Sequence, residues 1–268
     1  MPGTAIITGA TGGIGSATVR RLRGAGWRLA LVGRNDDLLE SLLAEVVAQS
    51  TPASSGTAGD EARTDRPQAM TVVADMTRPD EVEASFAAVA EQLGPPDALV
   101  HAVGSTLLKP AHITTDAELD DVLAVNLLSA FYALRSFVRL VPRDRGASVV
   151  LFSTAATRVG LANHEAIAAA KGGIDGLVVS AAATYAPRGI RVNAIAPGLV
   201  RTNLTRRITG SEPALRASLA MHALGRVGEA DEIAAAAAYL LSPDASWITG
   251  QVISVDGGLS SVRPPLRI

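Results

Sequence analysis

Three side chains in one short stretch have the types and spacing to meet at a single site. His164, Ile167 and Lys171 stand at positions i, i+3 and i+7, which share one face of a helix. An imidazole gives or takes a proton near neutral pH. A lysine ammonium brings a charge and three donors. Ile167 between them brings only an alkyl wall. Glu165 is the neighbour of His164, but it projects about 100° away around a helix and suits the helix N-terminus electrostatically. If the residues before position 165 are not helical, His164 leaves that shared face. Upstream, Ser153 and Thr154 close an apolar run. Consecutive strand residues face opposite ways, so only one of these hydroxyls can reach a given site.

A second cluster lies near the start, in Thr8-Gly9-Ala10-Thr11-Gly12-Gly13-Ile14-Gly15. Glycine permits a tight turn and a close approach of backbone to a ligand. A helix opening at such a turn presents unpaired N–H groups and a partial positive charge, which suits phosphate. A glycine-rich turn alone is weak; one placed between the first strand and the first helix points to a dinucleotide.

Both clusters need a scaffold. Ala5–Thr8, Leu29–Gly33, Thr71–Ala74, Ala98–Val103, Ser148–Ser153, Arg191–Ala196 and Gln251–Val255 read as strands, mostly continuous apolar runs covered on both faces. Helical patterns fall between them, near 14–25, 36–49, 79–93, 116–140, 164–186 and 229–241. Alternation of this kind predicts an α/β fold: a single-domain, Rossmann-type, doubly wound parallel sheet of about seven strands with helices on both faces. Ligands should sit beyond the carboxyl ends of the strands. The whole chain, 1–268, forms one domain in this reading. Ser50 to Pro67 has no hydrophobic period and reads as a flexible surface insertion.

Composition narrows the function. Hydrophobic residues make up 48% and charged residues 19%, so the chain can bury a full core. A net charge of −2 argues against nucleic acid or an anionic membrane as partner. Without cysteine there is no disulfide or thiolate metal site, and a cytoplasmic location is expected. Met1-Pro2-Gly3 leads directly into a strand and leaves no room for a secretory signal. The Ala-rich segment 233–241 is roughly half the ~20 residues that span a bilayer, so no membrane segment is expected. No group of side chains suggests a metal site.

Taken in order, these motifs resemble the short-chain dehydrogenase/reductase family over essentially the whole chain. The glycine turn has the family's TGxxxGxG spacing. Asp75 follows strand three, with Met76 beside it, where the family uses an aspartate near the adenine. His101-Ala102-Val103-Gly104 stands where Asn-Asn-Ala-Gly is usual, so the polar pair is altered and the small residue-glycine ending is kept. Asn126 matches the helix-four asparagine. Pro197-Gly198-Leu199-Val200-Arg201-Thr202 matches the loop over the nicotinamide, and Ile248-Thr249-Gly250-Gln251 and Val255-Asp256-Gly257-Gly258 match the carboxyl-terminal signature.

The resemblance implies an NAD(P)-dependent oxidoreductase acting between a carbonyl and an alcohol. After strand two, where an NAD site carries an acid, this chain has Gly33-Arg34-Asn35. Arg34 can pair with a 2′-phosphate, which favours NADP over NAD; the alternative is an exposed arginine at a strand end. The implied dinucleotide residues are Gly9, Thr11, Gly13, Ile14, Gly15, Arg34, Asn35, Asp75, Met76, Ala102, Gly104, Lys171, Pro197, Gly198, Val200 and Thr202. The family's catalytic serine, tyrosine and lysine fall on Thr154, Ile167 and Lys171, with Asn126 as the fourth member. Threonine keeps a hydroxyl that donates. Isoleucine has no proton to give, and Tyr132, Tyr185 and Tyr239 lie elsewhere in the family layout. Three readings follow: His164 carries the proton; substrate or water supplies it, slowly; or the chain is a cofactor-binding or inactive subunit that pairs with a homologue. Family members form dimers or tetramers through helices four and five, and the small residues of 166–176 would allow such contact or internal packing alike. Specificity falls in a lid at 203–224, where Arg206, Arg207 and Arg216 either receive an anionic substrate or stay in solvent.

Overall fold

The structure, a computed structural model, describes residues 3–48 and 67–263. Apart from Pro67, the expected insertion at 50–67 lies outside the described residues. The strands are β1 (Thr4–Thr8), β2 (Arg28–Gly33), β3 (Ala69–Val73), β4 (Ala98–His101), β5 (Ala147–Phe152), β6 (Ile190–Pro197), β7 (Val200–Arg201), β8 (Gly228–Glu229) and β9 (Val252–Val255). Seven of them form one parallel sheet in the order β3-β2-β1-β4-β5-β6-β9; β7 and β8 pair only with each other. The chain starts at the middle of the sheet, builds outward, then returns to build the other half. The reversal between β1 and β4 opens a crevice at the carboxyl edge.

Strand alternation sorts the core into two halves. Ala5, Ile7, Leu29, Leu31, Ala98, Val100 and Val150 pack towards α1 (Gly13–Gly24), α2 (Asp36–Ala48) and α9 (Ala230–Leu241). Ile6, Ala30, Val32, Leu99, Val149 and Leu151 face α3 (Pro79–Leu93), α5 (Ser129–Leu140) and α6 (Glu165–Tyr185). Burial on both sides explains why these strands read as unbroken apolar runs.

Three local details depart from the expectation. The helix predicted over 116–140 is divided: α4 (Asp116–Leu123), opened by a Thr115–Glu118 capping box, passes through a π turn at Ala124–Leu128 before α5. The lid contains two helices, α7 (Arg206–Thr209) and α8 (Glu212–Met221). The membrane expectation also needs correction. The stretches Asp116–Leu140 and Glu165–Arg188 are long and apolar enough to cross a bilayer by length and composition. They are core helices with about half of those residues buried against the sheet, and a buried helix face is apolar for that reason alone.

His101 ends β4 and joins the sheet to α5 in the protein interior. Its Nδ1 lies 2.8 Å from Thr8 Oγ1 and its Nε2 lies 3.0 Å from Ser129 Oγ. The Ser129 hydroxyl donates to the Val125 carbonyl at 2.6 Å. Ser129 therefore accepts from His101 Nε2–H, and Nδ1 accepts from the Thr8 hydroxyl. Burial, aided by the charge of Lys171, pushes the imidazole down to about 3. An unfolded chain, with an ordinary value near 6.5, binds the extra proton first, so His101 lowers stability as pH falls from 6.5 towards 3. We expect the stability advantage of the natural protein over His101→Asn to shrink by about 2 kcal/mol between pH 7 and pH 5, read by urea unfolding. Parallel pH profiles of the two proteins would show that this imidazole is not held neutral.

Candidate active site

The crevice is a cleft of about 590 Å³ at the carboxyl ends of the central strands. Its floor begins with the turn after β1. Gly9 has φ +69°, and a Cβ there would come within 2.7 Å of the Ala102 carbonyl group. A Cβ on Gly15 would sit 2.1 Å from the Gly9 oxygen. The two glycines let the turn coil under β4 and start α1 at once. Gly12, Gly13 and Ile14 line the cleft, while Gly9, Thr11 and Gly15 shape the turn beneath them. No acid stands in the first turn of α1, so the positive end of its dipole is uncompensated there. This is a cradle that a side chain would fill, and it fits the pyrophosphate of a dinucleotide.

The loop after β6 lies against this turn. A Cβ on Gly13 would come within 2.7 Å of Thr202 Cγ2, and Pro197, Gly198, Val200 and Thr202 line the cleft. Ala102 and Gly104 line it from the end of β4. Arg34 and Asn35 are exposed at the end of β2, outside the cleft wall. Asn35 also holds the local fold together, because its Oδ1 caps α2 by accepting from Leu38 N–H at 2.9 Å. Burial raises the Asp75 carboxyl, but hydrogen bonds from Thr77 and the charges of Arg34 and Arg78 outweigh it, and the net shift is downward. Met76 puts its side chain in the core, leaving its backbone for a ligand.

On the catalytic side, the structure brings Asn126, Thr154, His164, Ile167 and Lys171 to one cleft. Asn126 sits in the π turn, buried and saturated: Oδ1 accepts from Ser105 N–H at 3.1 Å, and Nδ2 donates to Ser105 Oγ at 2.9 Å and to the Val122 carbonyl at 3.0 Å. It clamps the segment after β4. Gly104 gives the room for this, since a Cβ there would stand 3.2 Å from Asn126 Oδ1 and 3.8 Å from Lys171 Nζ. Ser153 and Thr154 follow the end of β5 and both line the cleft, contrary to the expectation that only one would reach it, and the Ser153 hydroxyl donates to the Lys171 carbonyl at 3.5 Å. Thr154 Oγ1 accepts from Ala156 N–H at 3.3 Å, which leaves its own hydrogen free to donate.

His164 is not the first helical residue but the residue before it, with φ −107° and ψ 12°. It therefore does not share a helix face with Ile167 and Lys171 by the i, i+3 and i+7 spacing, yet it lines the same wall as both. Its Nδ1 is 2.8 Å from the Ala162 carbonyl, so Nδ1–H donates there and Nε2 is left over. Ile167 packs with Val122, Ala166 and Ala170 in a small apolar cluster of its own. Lys171 is buried, and its ammonium has no hydrogen-bond partner among the described residues. Burial lowers it to about 8, against the raising effect of the Asp175 carboxylate.

Sequence reasoning missed two polar residues. Ser105 is held by Asn126. His222 is buried on the cleft wall; its Nδ1–H donates to the Ser218 carbonyl at 2.6 Å, and its Nε2 accepts from Leu199 N–H at 3.2 Å. It ties the lid to the loop over the glycine turn. No motif surrounds it, and only the folded lid reveals it. The lid arginines stay outside the wall, with Arg206 on Asn203 and Arg216 on Glu212.

A family model described as enoyl-(acyl carrier protein) reductase matches residues 9–260. The chain belongs to the short-chain dehydrogenase/reductase family. Galactitol 2-dehydrogenase (L-tagatose-forming) of Cereibacter sphaeroides is 37% identical, over 95% of this chain and 93% of its own. Levodione reductase of Leifsonia aquatica is 33% identical, over 96% of this chain and 93% of its own. Among solved structures, an actinorhodin polyketide ketoreductase variant with NADPH superposes with a TM-score of 0.86 at 27% identity, covering 97% of this chain and 98% of that one. The family's parallel sheet and crevice are those described above.

The glycine turn yields a direct test. Gly15→Ala should raise the dinucleotide Kd at least about tenfold and lower the melting temperature, because a methyl group there meets backbone rather than a movable side chain. Gly24→Ala, where nothing lies within 4 Å, should leave both nearly unchanged. Equal behaviour in calorimetric titration would refute the role given to Gly15.

Proposed function

We propose that this protein is an NADP-dependent oxidoreductase interconverting a small carbonyl compound and its alcohol. The observation that carries the reading is the buried Lys171 side chain in the same cleft as the glycine turn and Thr154. The NADPH in the ketoreductase structure supports the cofactor class. Arg34, exposed beside the adenine-side Asp75, favours the 2′-phosphate form over NAD. The nicotinamide, when bound, supplies or accepts the hydride. Lys171 holds the neighbouring ribose, Thr154 donates to the carbonyl oxygen, and Asn126 keeps the β4 end in place through Ser105.

Ile167 occupies the place of the family's tyrosine in this reading, and it forms an apolar wall. The proton then comes from His164. With Nδ1–H spent on Ala162, Nε2 is the atom that passes a proton to the carbonyl oxygen during reduction and recovers it from the alcohol during oxidation. A second reading is favoured by the apolar packing of Ile167: a catalytically silent subunit that binds cofactor beside an active homologue. Leu128, Phe131 and Val179, all exposed along the α5 and α6 side, suit contact with a second chain in a dimer or tetramer.

Calorimetric titration should give tighter binding for NADP than for NAD; the reverse order would overturn the choice of cofactor. A panel of ketones, followed by loss of reduced-nicotinamide absorbance, should show turnover by the purified chain. Activity that arises only with a co-expressed homologue would establish the silent-subunit reading. His164→Ala should lower kcat about 100-fold or more, equal to about 2.7 kcal/mol, with cofactor affinity kept and the limb of the pH profile near neutrality lost. Lys171→Ala should weaken cofactor binding instead. A rate and pH profile indifferent to His164→Ala would pass the proton to Thr154, water or substrate.

A further inference from the structure

Beyond the hydride chemistry, and resting on it, we propose that the substrate is an electrically neutral ketone or alcohol with a compact apolar body, rather than an anion or a polyol. The substrate half of the cleft is walled by Leu108, Leu161, Ile167, Leu204, Ile208 and Met221. Three of these are unusually open for apolar residues: Leu108 is 43% exposed, Leu204 52% and Met221 41%. They line the same cleft, where uncovered apolar surface marks a ligand's seat.

Charge points the same way. Lys171 is the one charged side chain lining the cleft among the described residues, and it stands at the dinucleotide end beside Gly104 and Asn126. Three arginines around the mouth have partners, Arg206 on Asn203 at 2.9 Å, Arg216 on Glu212 at 2.9 Å and Arg201 on Glu229 at 3.3 Å, and Arg207 is exposed and lies outside the cleft wall. A carboxylate or phosphate entering the apolar half would lose its hydration and meet no charged side chain among the residues of that wall. A polyol fares little better. On the lid side both His222 nitrogens are bonded and the Thr205 hydroxyl is given to the Val200 carbonyl, which leaves only Asn203 and Ser218 with polar side-chain atoms to offer among the described lid residues of that wall. Hydrogen-bonding groups concentrate instead at Thr154 and His164, where a single oxygen would react. Such a wall accepts an alicyclic or short branched body and discriminates against added charge or hydroxyls.

The test uses NADPH-loaded full-length protein and three carbonyls of similar size: a methyl-substituted cyclohexanone, the corresponding cyclohexanone carboxylate and a ketose. The neutral ketone should have a kcat/KM on the order of 100-fold above each of the others. Equal or better use of the carboxylate or the ketose would overturn the proposal. Should no compound be turned over, the hydride-transfer reading fails, and binding still decides the substrate class. The cyclohexanone should then raise the melting temperature of the loaded protein while the other two do not; a shift by either of those, or by none of the three, would refute it. Ile208→Arg, on the short α7, provides the converse. The carboxylate should gain at least about tenfold in kcat/KM relative to the neutral ketone, with NADP affinity unchanged. A uniform loss on all three substrates would count against Ile208 as part of the seat.

Discussion

The turn after β1 must pass in contact with the end of β4, and the rest of the site depends on that approach. Gly9, at φ +69°, reaches it because its missing Cβ would lie 2.7 Å from the Ala102 carbonyl carbon. From this contact α1 starts with its N–H groups aimed along the crevice, and β4 releases Ala102 and Gly104 into the cleft. The sheet's reversal of order puts the crevice there, and the glycine turn forms part of its floor.

Around that contact, polar groups hold the elements that carry the chemistry. His101 ties β1 to α5 through Thr8 and Ser129, and Asn126 ties the π turn to Ser105. A further close fit joins α6 to the same turn: a Cβ on Gly173 would stand 2.7 Å from Leu127. Lys171 on α6 is thereby brought beside Asn126 and Gly104, and its burial follows from this packing. The low basicity of Lys171 and the neutrality of His101 have one common cause, the removal of water from a crowded junction.

An alkyl side chain at Ile167 gives this wall an apolar character. Ile167 joins Val122, Ala166 and Ala170, so the middle of the cleft is apolar between a hydroxyl at Thr154 and an ammonium at Lys171. His164 is the imidazole on that wall nearest to Ile167 in sequence. The lid continues the apolar surface through Leu204, Ile208 and Met221. His222, bonded on both nitrogens, ties the lid to the loop over the glycine turn.

Much of this was legible in the residues alone. The parallel sheet, its helices and the phosphate turn follow from local rules: unbroken apolar runs, helical periodicity, and glycine wherever backbone meets backbone. The residue types at Thr154, Ile167 and Lys171 were equally visible, and the structure brings all three to one cleft. What the tertiary structure alone decided concerns groups whose state depends on distant partners. The tautomer of His101 comes from Thr8, 93 residues away, and from Ser129, and its neutrality from burial and the Lys171 charge. The π turn that seats Asn126, the start of α6 one residue after His164, the burial of His222 and the outward pairing of the lid arginines are also set by packing. A sequence states which charges a chain owns; solvent exclusion and neighbours in space determine which of them reach the cleft, and in what protonation state.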